Sequence, residues 1–416
     1  MKKLILVVLF VFLALGIAWS ADKKVTINVW HIWPDASSEA SYVDFNQALT
    51  DYKKLNPNVE VNVDSTTNDL YKPKIQTALS ADEAPDVFFT FGSAFSKPFV
   101  DAGKIAALDP YMDTAYKSKL LAGTTAFFTY DGKLYGLPLG MHTAWLYCNR
   151  DLFQKYGLKY PKTFDDLVNV TKAFKSKGVV PFALGNKERW PIILLYETLA
   201  VKYAGAKTIQ QQVQSNKLSD PAYLKAARDI KRLVDAGAFR PDVLGVSMFA
   251  EGFQVFKDGQ VPMFYHGSWM TLPMEADDAA TKGKIDVLRW PMVTDSSAKG
   301  SEFDTWGGSF SCFSVSAKSK VLKDAVEFAK YVTFQQNKYA FINGTNLPCY
   351  RVDVTPDQVK SDINKQVIKL MDKSTSFTIG WDLMLEQKNA QEYMDNITKL
   401  LGGALTPEQF VATLPK

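Results

Sequence analysis

Between Lys24 and Gly103 the chain alternates strand and helix periods through six elements, and this pattern confines it to a sheet built from parallel strands with helices on both faces. Lys24 to Trp30 places apolar residues at every second position, and Tyr42, Phe45, Leu49 and Tyr52 then recur at helical spacing until Asn56-Pro57 ends the helix. Val59, Val61 and Val63 alternate again. Tyr71 to Ser80 predicts a second helix, Asp86 to Thr90 a third strand, and Gly103 the end of a third helix. Ligands of such sheets sit beyond the carboxyl ends of the strands. Here those ends carry Trp30-His31-Ile32-Trp33 and Phe91-Gly92-Ser93.

Beyond Phe153 the pattern is mainly helical, with helices expected over 164–176, 192–203, 209–213 and 222–236. Thr163 is placed to cap the first of them, with Asp165 and Asp166 at the positive end of its dipole. Short apolar runs at 178–184, 260–267 and 309–315 predict strands, and Leu322, Ala325, Ala329 and Val332 mark a late amphipathic helix. No repeat, low-complexity tract or linker separates the two halves.

Met1-Lys-Lys, the apolar run Leu4 to Ile17 and the small residues before Ala21 spell a cleavable secretory signal peptide at 1–20. Removing it from 416 residues leaves a chain too long for one core of about 250 to 300 residues, so two lobes are expected. No later segment approaches the ~18 apolar residues of a membrane helix, so the mature chain is not expected to insert in a membrane. The 48 basic and 44 acidic side chains are well mixed, which gives no electrostatic case for nucleic acid. Cys148, Cys312 and Cys349 all lie deep in the chain, and none is placed for lipid attachment. A periplasmic location follows.

Asn56-Pro57-Asn58-Val59, Ala84-Pro85-Asp86-Val87, Ala102-Gly103-Lys104, Tyr135-Gly-Leu-Pro138, Asn149-Arg-Asp-Leu152 and Phe256 to Met263 with Gly267-Ser-Trp269 occur in one order. Together they resemble the extracellular solute-binding proteins of ABC importers, of the sugar-binding type that includes maltose-binding protein. The resemblance implies an α/β, two-lobed periplasmic binding protein fold, each lobe a mainly parallel sheet flanked by helices, with the ligand cleft between lobes. It places three chain crossings at 143–149, 284–293 and 343–350. The first lobe would be 21–147 plus 292–343, and the second 148–291 plus 344–416. It also implies a sugar ligand, delivery to a membrane permease and a monomeric receptor with no cofactor or metal.

A sugar site needs aromatic plates for C–H faces and polar side chains for hydroxyls. Aromatic residues make up 13 % of the chain. The candidates are Trp30, His31, Trp33, Gly92 and Ser93 at strand ends, and Glu188, Arg189 and Trp190 after Leu184-Gly-Asn. By resemblance, Trp269 is the strongest stacking position, and His142 stands where relatives carry an acid, so that a structural histidine is an equal alternative. Asp304 with Trp306 and Trp381 with Asp382 are further acid and aromatic pairs, while Trp145 and Trp290 read as packing.

Enzymatic motifs are missing. Three separated histidines exclude His-Glu-x-x-His, no Gly-x-x-x-x-Gly-Lys loop occurs, and Gly307-Gly-Ser-Phe-Ser breaks the nucleophile elbow. A paired-carboxylate glycosidase is the competing class. Among binding proteins the alternative is a non-sugar or phosphorylated solute, for which only Arg189 is visibly placed. For Cys148 and Cys349, free buried thiols are the default and a disulfide the alternative.

Overall fold

A computed structural model describes residues 24–35 and 40–416, and the expected signal peptide at 1–20 lies outside them. Strands β1 (Val25–His31), β2 (Val59–Ser65) and β3 (Val87–Phe91) alternate with helices α1 (Ala40–Leu55) and α2 (Asn68–Ser80), as the periods predict. β1 pairs parallel with both neighbours, Val25 opposite Val59 and Val29 opposite Val87. Ser311–Val315 and Leu137–Pro138 complete a five-stranded sheet, both antiparallel to their neighbours. One face is covered by α1, which buries Phe45, Ala48, Leu49 and Tyr52, and by the helix Leu322–Asn343. Tyr52 meets Phe328 of that helix edge-on at 4.9 Å. α2 buries Tyr71, whose hydroxyl donates to the Phe89 carbonyl at 2.8 Å and so fixes the helix beside the carboxyl end of β3.

The second sheet is organised by His142–Asn149, in which all eight residues are buried. Buried on both faces, that strand is a nearly unbroken apolar run. It pairs antiparallel with Met263–Gly267, with Ile285–Leu288 and with Asp304–Gly308, and the sheet ends in Phe182–Ala183 on one side and Ser376–Thr378 on the other. Both sheets are therefore mixed. Parallel pairing holds where a helical crossover joins two strands, and antiparallel pairing enters where a returning segment is laid alongside.

Residues 304–308 fall within 292–343, yet they join the second sheet, with Gly307 opposite Thr143 and Gly308 opposite His142. Gly307 sits at φ 139°, and a β-carbon there would lie 2.1 Å from the His142 carbonyl oxygen. Only glycine permits that approach. Thr163 caps Phe164–Ser176 as the sequence predicts, and Asp166 returns the bond to complete a capping box.

Among the described residues no helix is long and apolar enough to cross a membrane. Cys148, Cys312 and Cys349 are free and buried, so the alternative of a Cys148–Cys349 disulfide is set aside. Burial pushes the thiols of Cys312 and Cys349 up to about 12 and that of Cys148 well above the usual thiol range. Reactive thiolate is thus suppressed twice, by access and by ionisation. A thiol reagent is expected to find no reactive cysteine in the native protein and all three after denaturation, which a colorimetric thiol count would check.

Candidate functional site

Two adjoining chambers lie between the sheets. The inner one, of about 110 Å³, is walled by Trp190, Trp269, Trp306, Phe249, Phe310 and Phe91, with Asn68, Lys72, His142 and Asp382 among its polar lining. The outer one, of about 580 Å³, is lined by Asp69, Glu188 and Arg189 among others, and shares Lys72, Trp190 and Asp382 with the inner. Asn68 and Lys72 come from α2, beside the first sheet, whereas Trp269 and Trp306 belong to the second sheet and its following turn. Each partner sheet contributes one side of the space.

Trp269 stands in the turn after Met263–Gly267 and is half-buried. Its ring lies 6.2 Å from Trp190 and 6.4 Å from Trp306, with the edges of His142 and His266 at 5.7 and 5.2 Å. The ring folds back over Gly267, where a β-carbon would be 2.0 Å from it. That contact is the physical content of the Gly-Ser-Trp motif.

Trp306 is held from behind. Its indole N–H donates to Glu197 at 2.7 Å, and the same carboxylate accepts from the Trp381 backbone N–H at 3.0 Å and the Tyr393 hydroxyl at 3.1 Å. Glu197 is fully buried, and burial holds its pKa well above the usual carboxylate range. Lys202, five residues further along the same helix, donates to the carbonyls of Ser301, Glu302 and Asp304 at 2.7, 3.2 and 2.9 Å, tying down the segment that leads into the Trp306 strand.

The remaining candidates divide. His142 lines the inner chamber with Nε2 3.1 Å from Ser311 Oγ, and burial lowers its pKa to about 4, so the ring is neutral. Trp33 also reaches the chamber, though mostly packed on Phe89 and Phe313. Glu188 accepts from the Ser247 hydroxyl at 2.5 Å and the Met248 N–H at 3.0 Å, and Arg189 pairs with Asp395 at 2.5 Å; both face the outer chamber. Trp190 borders both chambers, and its indole nitrogen has no hydrogen-bond partner among the described residues. Asp382 does too, 3.4 Å from the Lys72 ammonium.

Six candidates are placed away from both chambers. Trp30 faces outward under the Lys74 ammonium, 4.1 Å from the ring centroid. His31 is buried against Phe45, accepts from the Trp33 N–H at 3.2 Å, and has its pKa lowered to about 3 by burial. The Gly92 N–H donates to the Phe310 carbonyl, and a β-carbon there would clash with the Phe127 carbonyl at 2.2 Å. The carbonyl of Ser93 accepts from the Tyr130 hydroxyl at 2.9 Å. Asp304 turns to Ser376 and to the Ser301 N–H. Trp381 is wholly buried and stacked on Tyr393. Asn68, Lys72, Phe249, Phe310 and Glu197 were not foreseen.

A two-lobed α/β chain with an aromatic, polar-edged space between its sheets has the build of a solute receptor. Residues 36–339 match the model of the bacterial extracellular solute-binding proteins, and the chain belongs to that family. It is similar to a structure from work on xylan utilization by the thermophilic bacterium Caldanaerobius polysaccharolyticus, 32% identical, with a TM-score of 0.89 over 94% of this chain and 99% of that one. A chitin oligosaccharide binding protein is 24% identical with a TM-score of 0.84, over 94% and 97% of the two chains. The "Multiple sugar-binding protein" of Streptococcus mutans is 24% identical over 334 residues, 78% of this chain and 76% of that one.

Proposed function

We propose that the protein binds a carbohydrate, a mono- or oligosaccharide, in the interlobe cleft and delivers it to an ABC importer in the membrane. The observation that carries this reading is the inner chamber itself: Trp190, Trp269 and Trp306 line one small space together with the polar Asn68, Lys72, His142 and Asp382. Sugars match that pattern, with C–H faces for the rings and hydroxyls for the polar groups. The names of the relatives, sugar-binding and oligosaccharide-binding, point the same way.

The ligand-contacting residues in this reading are Trp190, Trp269, Trp306, His142, Lys72 and Asp382, with Glu188 and Arg189 on the outer chamber. A ligand touching both lobes stabilises the closed state by its differential affinity for it. The lobes divide at 21–147 plus 292–343 and 148–291 plus 344–416, with residues 142–147 and 304–308 lent to the second sheet. The receptor works as a monomer, is secreted to the periplasm through the signal peptide, and performs no catalysis. A phosphorylated ligand fits less well, because Lys72 and Arg189 already face Asp382 and Asp395.

A thermal-shift panel of neutral mono- and oligosaccharides tests this directly, since a ligand that binds only the folded state raises the melting temperature. A rise of several degrees with at least one sugar, without new reducing ends after incubation, is expected. No shift with any sugar would remove the reading, and new reducing ends would replace it with a glycosidase.

A further inference from the structure

His266 is a buried titratable side chain with no part in the ligand contacts proposed above. It belongs to the strand Met263–Gly267, is wholly buried, and lines neither chamber. Its ring is stacked on Phe264 at 5.0 Å with 10° between the planes, and Trp190, Trp269 and Phe249 meet it edge to face at 5.3, 5.2 and 6.4 Å. Those last three rings all line the inner chamber. His266 is thus a hub behind the aromatic wall.

A hub that only packed would be served by phenylalanine, which is as flat and has no polar atoms. Histidine brings two nitrogens, and neither makes a hydrogen bond among the described residues. Burial lowers its pKa to about 3 against an opposing pull from the Gly267 backbone, so the ring is neutral, with one N–H and one open lone pair. Keeping such a ring in an apolar wall costs stability. The neighbour with the matching open valence is Trp190. Its indole N–H is buried and has no partner among the described residues, and the two rings are already in contact. Trp306 shows what Trp190 lacks, an N–H held by Glu197 at 2.7 Å. The backbone of Trp190 has little freedom of its own, since Arg189 before it sits at φ 66° and is paired with Asp395, and Pro191 after it opens the helix Pro191–Ala204. Only the side-chain torsions remain to aim the plate.

We propose that His266 is a positioning residue for the site: as the ligand seats on Trp190, the lone pair of His266 takes the indole N–H and fixes the plate that stands between the two chambers. A tilt of the Trp190 ring makes this bond without backbone movement. The proposal rests on the carbohydrate reading above and adds a residue that acts on the ligand only through Trp190.

The test is calorimetric titration of the full mature chain with the tightest binder among maltotriose, cellotriose, xylotriose, chitotriose and raffinose, for the parent, His266→Phe, Trp190→Phe and the double variant. His266→Phe is expected to melt no lower than the parent, because it removes two unpaired polar atoms, yet to bind about threefold to tenfold more weakly, the net contribution of one hydrogen bond. In the Trp190→Phe background, which has no indole N–H at that position, the same change is expected to weaken binding by less than about twofold. Equal affinity of the parent and His266→Phe would overturn the inference and leave the carbohydrate reading intact. So would an undiminished loss in the Trp190→Phe background, or a melting temperature well below the parent's, either of which makes His266 a packing residue. Silence from all five sugars overturns the inference, and silence from every sugar of the thermal-shift panel takes the carbohydrate reading with it. Should His266→Phe fail to fold, nitrogen-15 spectra of the parent's three histidines decide. The unprotonated nitrogen of His266 is expected to move upfield when the sugar is added, as it accepts the bond, and an unmoved resonance would overturn the inference.

Discussion

Trp269→Ala is expected to weaken carbohydrate binding at least tenfold while the fold survives. The side chain is half-buried and closes the inner chamber between Trp190 and Trp306, so truncation removes a plate from the ligand's face. Aromatic contacts contribute about 0.5 to 1.5 kcal/mol beyond the area they bury, and the lost burial adds about 25 cal/mol for each Å². Together these exceed the ~1.4 kcal/mol that makes a factor of ten. A tryptophan of the core makes the opposite forecast, about 3 to 5 kcal/mol of lost stability on truncation to alanine. Calorimetric titration and thermal melting of the one variant separate the two. Unchanged affinity with a collapsed melting temperature would take Trp269 out of the site.

The largest effect on stability is expected at Glu197. Its carboxylate is fully buried and accepts from Trp306, Trp381 and Tyr393, which belong to three different elements of the second sheet's side of the molecule. Glu197→Leu strands three donors, each at a cost of about 1 to 3 kcal/mol, so a total loss of at least about 3 kcal/mol is expected in urea unfolding. Affinity should fall as well, because Trp306 loses the bond that sets its ring. Glu197→Gln is the finer probe. It keeps one acceptor oxygen and the shape of the side chain, so a loss smaller than that of the leucine variant is expected. A leucine variant as stable as the parent would show that the carboxylate organises nothing.

Local chemistry made the fold readable. Period-two and helical spacings over 24–80 depend only on neighbours in the chain, and the Thr163 capping box is complete within four residues. The site was harder, since adjacent candidates cannot all face one way. His31 and Trp33 share a face in an extended chain while Trp30 takes the other, which is why Trp30 emerges under Lys74. Of the pair Trp381 and Asp382, one enters the core and the other the cleft. Lys72 reads as an ordinary polar position of α2, and its value comes from Asp382, 310 residues later. Glu197 did leave a signal. It is the single acid in the apolar helix Pro191–Ala204, and a charge in such a run must find partners when buried.

The most direct test of the account is a crystal structure of the mature protein grown with the tightest sugar from the thermal-shift panel. The account predicts one sugar ring inside the inner chamber with a C–H face on Trp269, hydroxyls within hydrogen-bond distance of Lys72 or Asp382, and the chain running out past Trp190. Sugar bound elsewhere on the molecule, with Trp190, Trp269 and Trp306 untouched, would contradict it.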